Sequence, residues 1–351
     1  MGVVRVGIVG ASGYTGGELL RLLTNHSGVE VTYVTSREYV GKPVHHIHYN
    51  LRGYYRGLKF SEFRVDELSN KADVVFLALP HGVSVNYVPK ILEVGVKVID
   101  LSADFRLKNP EMYEFWYGFK HPYPDLLSKA VYGLPEIHRD ELRGASLVAS
   151  PGCNSTAVIL SLLPIVKSGI VDLSRVIADV KVGSSEGGAK PTPGSHHPER
   201  EGAVRPYEAE GHRHAVEVEQ EISRLVNNSV KVSIIPHAVS SIRGVLASTH
   251  LWLTKDVDDI ELMRYYVQAF SKEPFVRFVK TVPPGYPDPK YVVGSNYVDV
   301  SYAVERRLGR LTSFVALDNL VKGAAGQAIQ AFNIVVGFEE TLGLKYPPLK
   351  P

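Results

Sequence analysis

The stretch VVRVGIVGASGYTGGELLRLL, residues 3 to 23, constrains the fold more than any other. An apolar β-rich run leads into a glycine-rich turn, and an amphipathic helical run follows. Gly10, Gly13 and Gly16 permit a tight turn and a close backbone approach to a diphosphate. The helix N-terminus then supplies amide donors and positive potential. The spacing is G-x-x-G-x-x-G rather than G-x-G-x-x-G, so its position at the first strand–helix junction carries the weight. Gly10, Ala11, Ser12, Gly13, Tyr14, Thr15 and Gly16 are the expected cofactor-binding turn.

The runs EVTYVTS, ADVVFLALP and VKVIDLS continue the pattern, separated by helical segments. Such alternation predicts parallel strands with helical crossovers, a Rossmann-like α/β domain. The second strand ends in VTSR. Enzymes that use NAD usually carry an acidic residue there for the ribose 2′-hydroxyl. Thr35, Ser36 and Arg37 stand in its place. A hydroxyl and a guanidinium suit a 2′-phosphate, which predicts NADP(H). LPHGVS follows a further strand, and Pro80, His81 and Gly82 are expected to line the nicotinamide pocket.

The texture changes near residue 150. STAVILSLLPIVKSG reads as a helix kinked at Pro164, and SRVIADVKVGSS as a strand running into a long polar loop, 183–211. HAVEVEQEISRLVNN reads as a helix. VKVSIIPHAV, GVLASTHLWLT and SNYVDVSYAVERRLGRLTSFVAL read as strands, the last a hairpin around Leu308 and Gly309. This half is expected to be α+β, with a mostly antiparallel sheet and helices on one face. LVKGAAGQAIQAFNIVVGF places Val321, Ala325, Ala328, Phe332 and Val335 at helical spacing. The expected division is a nucleotide domain at 1–150, completed by a C-terminal helix at 320–340, and a catalytic, substrate and oligomerisation domain at 151–319.

At 351 residues, two domains are the natural expectation. A core of that size needs no disulfide staple, and the single cysteine cannot form one internally. This suits a reducing compartment. A net charge of +2 gives no reason to expect nucleic acid. The N-terminus has no cleavage site, is too short to span a bilayer and lacks a myristoylation pattern. A cytoplasmic protein without a membrane segment is expected.

The lone thiol, Cys153, follows Pro151 and Gly152 and precedes a helical run. A thiol at a helix N-terminus sees the positive end of the dipole, which favours the thiolate. A nucleophile that forms a covalent intermediate also needs a proton carrier. EGHRHAVEVEQE supplies two candidates, His212 and His214, just before a helix.

Six motifs in order, GASGYTG, SADFRL, YGLPE, SPGC, GHRH and DNLVKGAAGQAIQ, resemble N-acetyl-γ-glutamyl-phosphate reductase from about residue 3 to about 340. The resemblance implies a fold shared with aspartate-semialdehyde dehydrogenase. It also implies NADPH-dependent reductive dephosphorylation of an acyl phosphate to a semialdehyde. Cys153 would carry the acyl group as a thioester. His212 would move protons, with His214 as the alternative. Asn319 would contact the cofactor, while Asp318 or Asn319 caps the last helix. Arg106, in SADFRL, is expected at the substrate. A homodimer or homotetramer is implied, with part of the second domain's sheet as the contact.

The chain departs from that family where a substrate would lie. The family's loop resembling SGVSGAGR here reads VGSSEGGAKP, with Ser184, Ser185, an intruding Glu186, and Ala189 beside Lys190 in place of the expected arginine. Asn154 replaces the tyrosine common after the cysteine. The insertion HHPEREGAVRPYE resembles a subgroup that reduces phosphorylated α-aminoadipate or glutamate held on an acidic carrier protein, LysW. Lys190, Arg200 and Arg205 are expected to meet carboxylates of such a carrier or the substrate phosphate. His196, His197 and Glu199 are too cramped to ligate one ion, so no metal is expected. The competing readings are an enzyme acting on free N-acetyl-γ-glutamyl phosphate and a non-catalytic NADP-binding protein. A cysteine hydrolase leaves the glycine turn and VTSR unexplained.

Overall fold

The computed structural model describes residues 2–350. The chain divides into two compact units, Met1–Pro151 with Ala324–Lys345, and Gly152–Gly323 with Tyr346–Pro351.

The first unit runs β1 (Val4–Val9), α1 (Tyr14–Leu23), β2 (Val29–Val34), α2 (Leu68–Lys71), β3 (Val74–Leu77), α3 (Val88–Glu93) and β4 (Lys97–Asp100). It continues with α4 (Glu111–Tyr117), α5 (Pro124–Lys129), β5 (Val131–Tyr132), α6 (Pro135–Leu142) and β6 (Leu147–Ala149). The six strands form a parallel sheet in the order β2-β1-β3-β4-β6-β5. Strands covered on both faces carry unbroken apolar runs. Val74, Val75, Phe76 and Leu77 of β3 are all buried. Each such side chain contributes about 1.5–3 kcal/mol relative to exposure. Because β1 pairs with β2 on one side and β3 on the other, the connections leave it in opposite directions. That switch point opens a crevice beyond the strand ends.

The second unit begins with α7 (Cys153–Leu162), β7 (Val171–Val182), α8 (His197–Arg200), β8 (Val204–Pro206), α9 (His214–Val226) and β9 (Val232–Val239). β10 (Val245–Leu253), α10 (Asp259–Phe270), β11 (Val276–Phe278), β12 (Val298–Glu305) and β13 (Arg310–Leu317) complete it. The seven strands lie in the order β11-β12-β13-β10-β7-β9-β8. Only the β11–β12 and β7–β9 pairs are parallel. The expected hairpin forms, with Gly309 in the left-handed region at its turn. On β10, Val245, Ala247, Thr249 and Leu251 are fully buried, on the face that α7 covers. Leu246, Ser248 and His250 alternate with them on the opposite, half-buried face. Asn154 to Leu162 are all buried, so α7 is a central helix rather than an amphipathic one.

Three sequence readings need correction. Pro164 does not kink a helix, because α7 stops at Leu162 and Pro164 lies beyond its end. The polar stretch 183–211 is not a plain loop. It holds a 3₁₀ turn at Ser184–Gly187, the short α8, and β8, which pairs antiparallel with β9 at the sheet edge. The last helix is not continuous from Val321. Val321–Ala325 forms a π-turn, and α11 (Gly326–Val336) begins after it. Ala328 and Phe332 of α11 are fully buried, and the helix packs against α1 and α6 of the first unit.

Candidate active site

In the first unit the predicted cofactor residues gather at the C-terminal ends of three neighbouring strands. Gly10 has φ +82°, and a Cβ there would lie 2.3 Å from the Ala78 carbonyl oxygen. Gly16 is equally required, since its Cβ would stand 2.5 Å from the Ala11 Cα. Gly13 differs: its Cβ would meet nothing closer than the Gly10 oxygen at 3.9 Å. The protein therefore does not itself demand glycine at Gly13, whereas a diphosphate approaching the backbone does. Gly13 is the N-cap of α1, and no side chain caps it among the described residues. The amides of Tyr14, Thr15 and Gly16, in the first turn, have no i−4 carbonyl within the helix.

β2 braces this turn. The Ala11 amide donates to the Thr35 carbonyl at 3.0 Å, and the Gly10 amide to Thr35 Oγ1 at 3.3 Å. The Ser12 and Ser36 hydroxyls are 2.9 Å apart, and Ser36 is 6% exposed. Arg37 is exposed, with no ion pair among the described residues. The sequence reading missed His48. Its Nε2 donates to the Ala11 carbonyl at 2.8 Å, and its ring fills the space where a Cβ on Gly17 would sit, 2.6 Å from Cε1. Burial pulls the His48 pKa down.

The loop Pro80–His81–Gly82 is held from β4's far end. Asp104 accepts the Gly82 amide at 2.7 Å and the Val85 amide at 2.9 Å, while His81 Nδ1 accepts the Ala103 amide at 3.0 Å. Fully buried Asp100 accepts the Ser102 amide and hydroxyl at 3.0 and 2.7 Å. Burial, with Asp104 close by, pushes Asp100 up to about 7. Arg106 is 4% exposed, and its guanidinium bonds the carbonyls of Ser150 and Leu101.

In the second unit Cys153 is the first residue of α7, with Gly152 as N-cap. Its Sγ donates to Asn154 Oδ1 at 3.5 Å. A Cβ on Gly152 would lie 2.4 Å from His214 Nε2, so the absence of a side chain lets that imidazole pack against the turn. Glu217, which the sequence reading passed over, ties these parts together. It is 0% exposed, and its Oε2 accepts the Gly152 amide at 3.1 Å and the Ser155 hydroxyl at 2.9 Å. Its Oε1 lies 4.0 Å from His214 Nε2. A buried carboxylate costs several kcal/mol unless donors and a cation compensate it. The Gly152 amide and the Ser155 hydroxyl supply such donors. The only sequence signal was spacing: His214 and Glu217, at i and i+3, share a face of α9.

His212 is 2% exposed and differently placed. Its Nδ1 accepts the His214 amide at 3.1 Å, which leaves the ring proton on Nε2, 3.5 Å from Glu208 Oε2. Burial, with Arg213 adding to it, pushes its pKa down to about 3. Tyr207 stacks edge-on to His212 at 6.1 Å and donates to Glu186 Oε2 at 2.8 Å. Burial raises the Tyr207 pKa, and Glu186 and Cys153 add to that shift.

Among the other predicted residues, Asn319 is 3% exposed. It accepts the Gly244 amide and donates to Ser185 Oγ, both at 2.8 Å. Asp318, not Asn319, does the capping, accepting the amides of Leu320 and Val321. The Ser184 and Ser185 amides donate to the carbonyls of Ser241 and Ile242. Arg200 is 8% exposed and bonds the Val239 and Val182 carbonyls. Arg205 bonds the carbonyls of Gly194 and Glu199, and Lys190 is exposed.

Comparison with known proteins agrees with both units. Residues 5–145 match the semialdehyde dehydrogenase NAD binding domain, and residues 153–319 the semialdehyde dehydrogenase dimerisation domain. The fold resembles aspartate semialdehyde dehydrogenase II of Vibrio cholerae, with a TM-score of 0.71 at 17% identity, covering 96% of this chain and 99% of that one. The Candida albicans aspartate semialdehyde dehydrogenase with NADP gives 0.67 at 16% identity, covering 95% and 98%. A Sulfolobus acidocaldarius LysW-L-2-aminoadipate/LysW-L-glutamate phosphate reductase is 63% identical over 99% of this chain and 100% of its own. The Saccharolobus solfataricus protein of the same name is 61% identical over 99% of each. With such identity running end to end, the chain belongs to the LysW-L-2-aminoadipate/LysW-L-glutamate phosphate reductase family of the semialdehyde dehydrogenases.

Proposed function

We propose that this enzyme reduces an acyl phosphate, aminoadipyl or glutamyl, carried on a LysW-type protein, to the corresponding semialdehyde. The observation that carries this reading is the full-length identity of 63% to a reductase of that name. NADP(H) fits the first unit: Gly13 leaves room for a diphosphate, and Ser36 with exposed Arg37 suits a 2′-phosphate. When bound, NADPH supplies a hydride to the acyl carbon.

The chain's own residues do the rest. The Cys153 sulfur adds to the acyl carbon, phosphate leaves with the bonding pair, and a thioester remains. After reduction the C–S bond breaks, the carbonyl re-forms and the thiolate is recovered. In sum, acyl phosphate, NADPH and a proton become aldehyde, NADP⁺ and phosphate. A group at the reacting oxygen must give a proton and take it back. His214 suits this better than His212: it packs against Gly152 with a carboxylate behind it, while both nitrogens of His212 are engaged. For the carrier, the segment leading into the insertion offers exposed Lys190, with an open hollow of about 500 Å³ lined by Pro191, Thr192, Pro193, His196 and Glu199. The half-buried sheet face bearing Ile177, Leu246 and Ser248 is the surface we assign to dimerisation.

NADPH oxidation measured side by side on carrier-linked and free acyl phosphates tests the reading. Turnover is expected with the carrier-linked substrate only, and faster with NADPH than NADH. Equal turnover of free N-acetyl-γ-glutamyl phosphate would replace it. Cys153→Ser is expected to lower turnover at least about 10³-fold while NADPH still binds.

A further inference from the structure

The π-turn Val321–Ala325 serves neither the capping of α11 nor any role assigned above. The Gly323 amide at its centre donates to the Asp318 carbonyl at 2.8 Å, five residues back and before the turn begins. π-Turns put an extra residue into a helix and cluster at functional positions. Here the central residue, Gly323, meets Cys153. A Cβ on Gly323 would stand 2.6 Å from Cys153 Cβ, 3.3 Å from Cys153 Cα and 3.2 Å from the Asp318 oxygen. None of those atoms can swing aside by rotating a side chain. Gly323 lies outside the left-handed region, so backbone conformation does not demand glycine there. The demand is steric and comes from the cysteine.

Asp318 holds the turn rigidly. It is 0% exposed, its Oδ1 accepts the Leu320 and Val321 amides, and its Oδ2 accepts the Gly294 amide at 2.7 Å with Arg243 at 3.3 Å. Cys153 is thus set between two glycines with separate tasks. Gly152 admits the His214 imidazole, and Gly323 admits a wall of backbone against the root of the thiol side chain.

We infer that Gly323 and its π-turn are a positioning element for Cys153, fixing where the sulfur stands when the acyl carbon arrives. The inference rests on Cys153 being the nucleophile, as proposed above. In the full-length enzyme, Gly323→Ala is expected to lower kcat about 100-fold, the cost of displacing a reacting atom by about an ångström. KM for the carrier-linked substrate should stay within about threefold, and NADPH binding within about twofold. The rate at which iodoacetamide alkylates Cys153 should change at least about fivefold. A second comparison reads the contact without activity. Gly323→Ala should lower Tm in the parent and lower it much less in Cys153→Gly, where the opposing Cβ is gone. Parent-like kcat and alkylation in Gly323→Ala would overturn the inference, and so would an equal Tm loss in both backgrounds. An active Cys153→Ser variant would instead remove the nucleophile reading beneath it.

Discussion

The turn after β1 and the turn before α7 both lead into a helix through glycine, yet they do opposite things with their backbone. Around Gly13 the protein leaves space and leaves the α1 N-terminus without a side-chain cap among the described residues. Around Gly152 nothing is left over: the amide goes to Glu217, and the space where a side chain would stand is filled by His214. The first turn is shaped to receive a ligand's charge. The second is fastened so that one of its own side chains is presented. Their buried carboxylates diverge in the same way. Asp100 and Glu217 each accept one amide and one serine hydroxyl. Asp100 has another carboxylate, Asp104, for a neighbour and is pushed up to about 7, while Glu217 has an imidazole. A glycine or an acid in the sequence therefore says little until its neighbour is known.

The contrast breaks most sharply at the histidines. His214→Gln is expected to lower kcat about 10²–10⁴-fold, and His212→Gln less than about tenfold. The pH–rate profile sharpens this. With its pKa pushed down to about 3, His212 stays neutral from pH 5 to 8, so its loss should leave the profile unchanged in that range. A profile reshaped by His212→Gln would reverse the assignment. The glycines come next. Gly13→Ala should weaken NADPH binding at least about tenfold with Tm within about 2 °C of parent, because only the ligand needs that space. Gly152→Ala should lower Tm by about 3 °C or more, since its Cβ meets the imidazole. Equal Tm losses would erase the distinction between the turns.

The smallest effect lies with Asp100. Its folded-state pKa is raised, so the folded chain holds the proton more tightly than the unfolded one. That contribution is fully present below the ordinary carboxylate range and is lost as pH rises through about 7. Asp100→Asn should therefore gain about 1–3 °C in Tm on the parent at pH 8 relative to pH 5. A gain at pH 5 instead would show the sign to be wrong.

The architecture was legible because both signals are local. A strand, three spaced glycines and an amphipathic helix specify the first crossover, and a lone thiol after Pro-Gly marks the start of α7. What escaped depends on burial, which a sequence does not print. Arg106 and Arg200 look like ligand contacts on paper, yet the fold uses both guanidinium groups on main-chain carbonyls. Glu217 looks like one acid among several on a helix surface, and His48 like one histidine among three in a loop. Each matters through a partner far away in sequence. Pro164 and the π-turn were misread for a related reason: periodicity reports which residues face inward, not where the hydrogen-bond ladder stops or slips.

The first unit is not continuous in sequence. Its sheet is complete by Ala149, but α11, with buried Ala328 and Phe332, arrives only after residues 152–323 of the second unit have been made. A ribosome therefore releases an apolar face early and its cover late. During that interval the exposed apolar surface is a site for aggregation, the hazard against which chaperones act. A chain cut after residue 323 would inherit that exposure permanently.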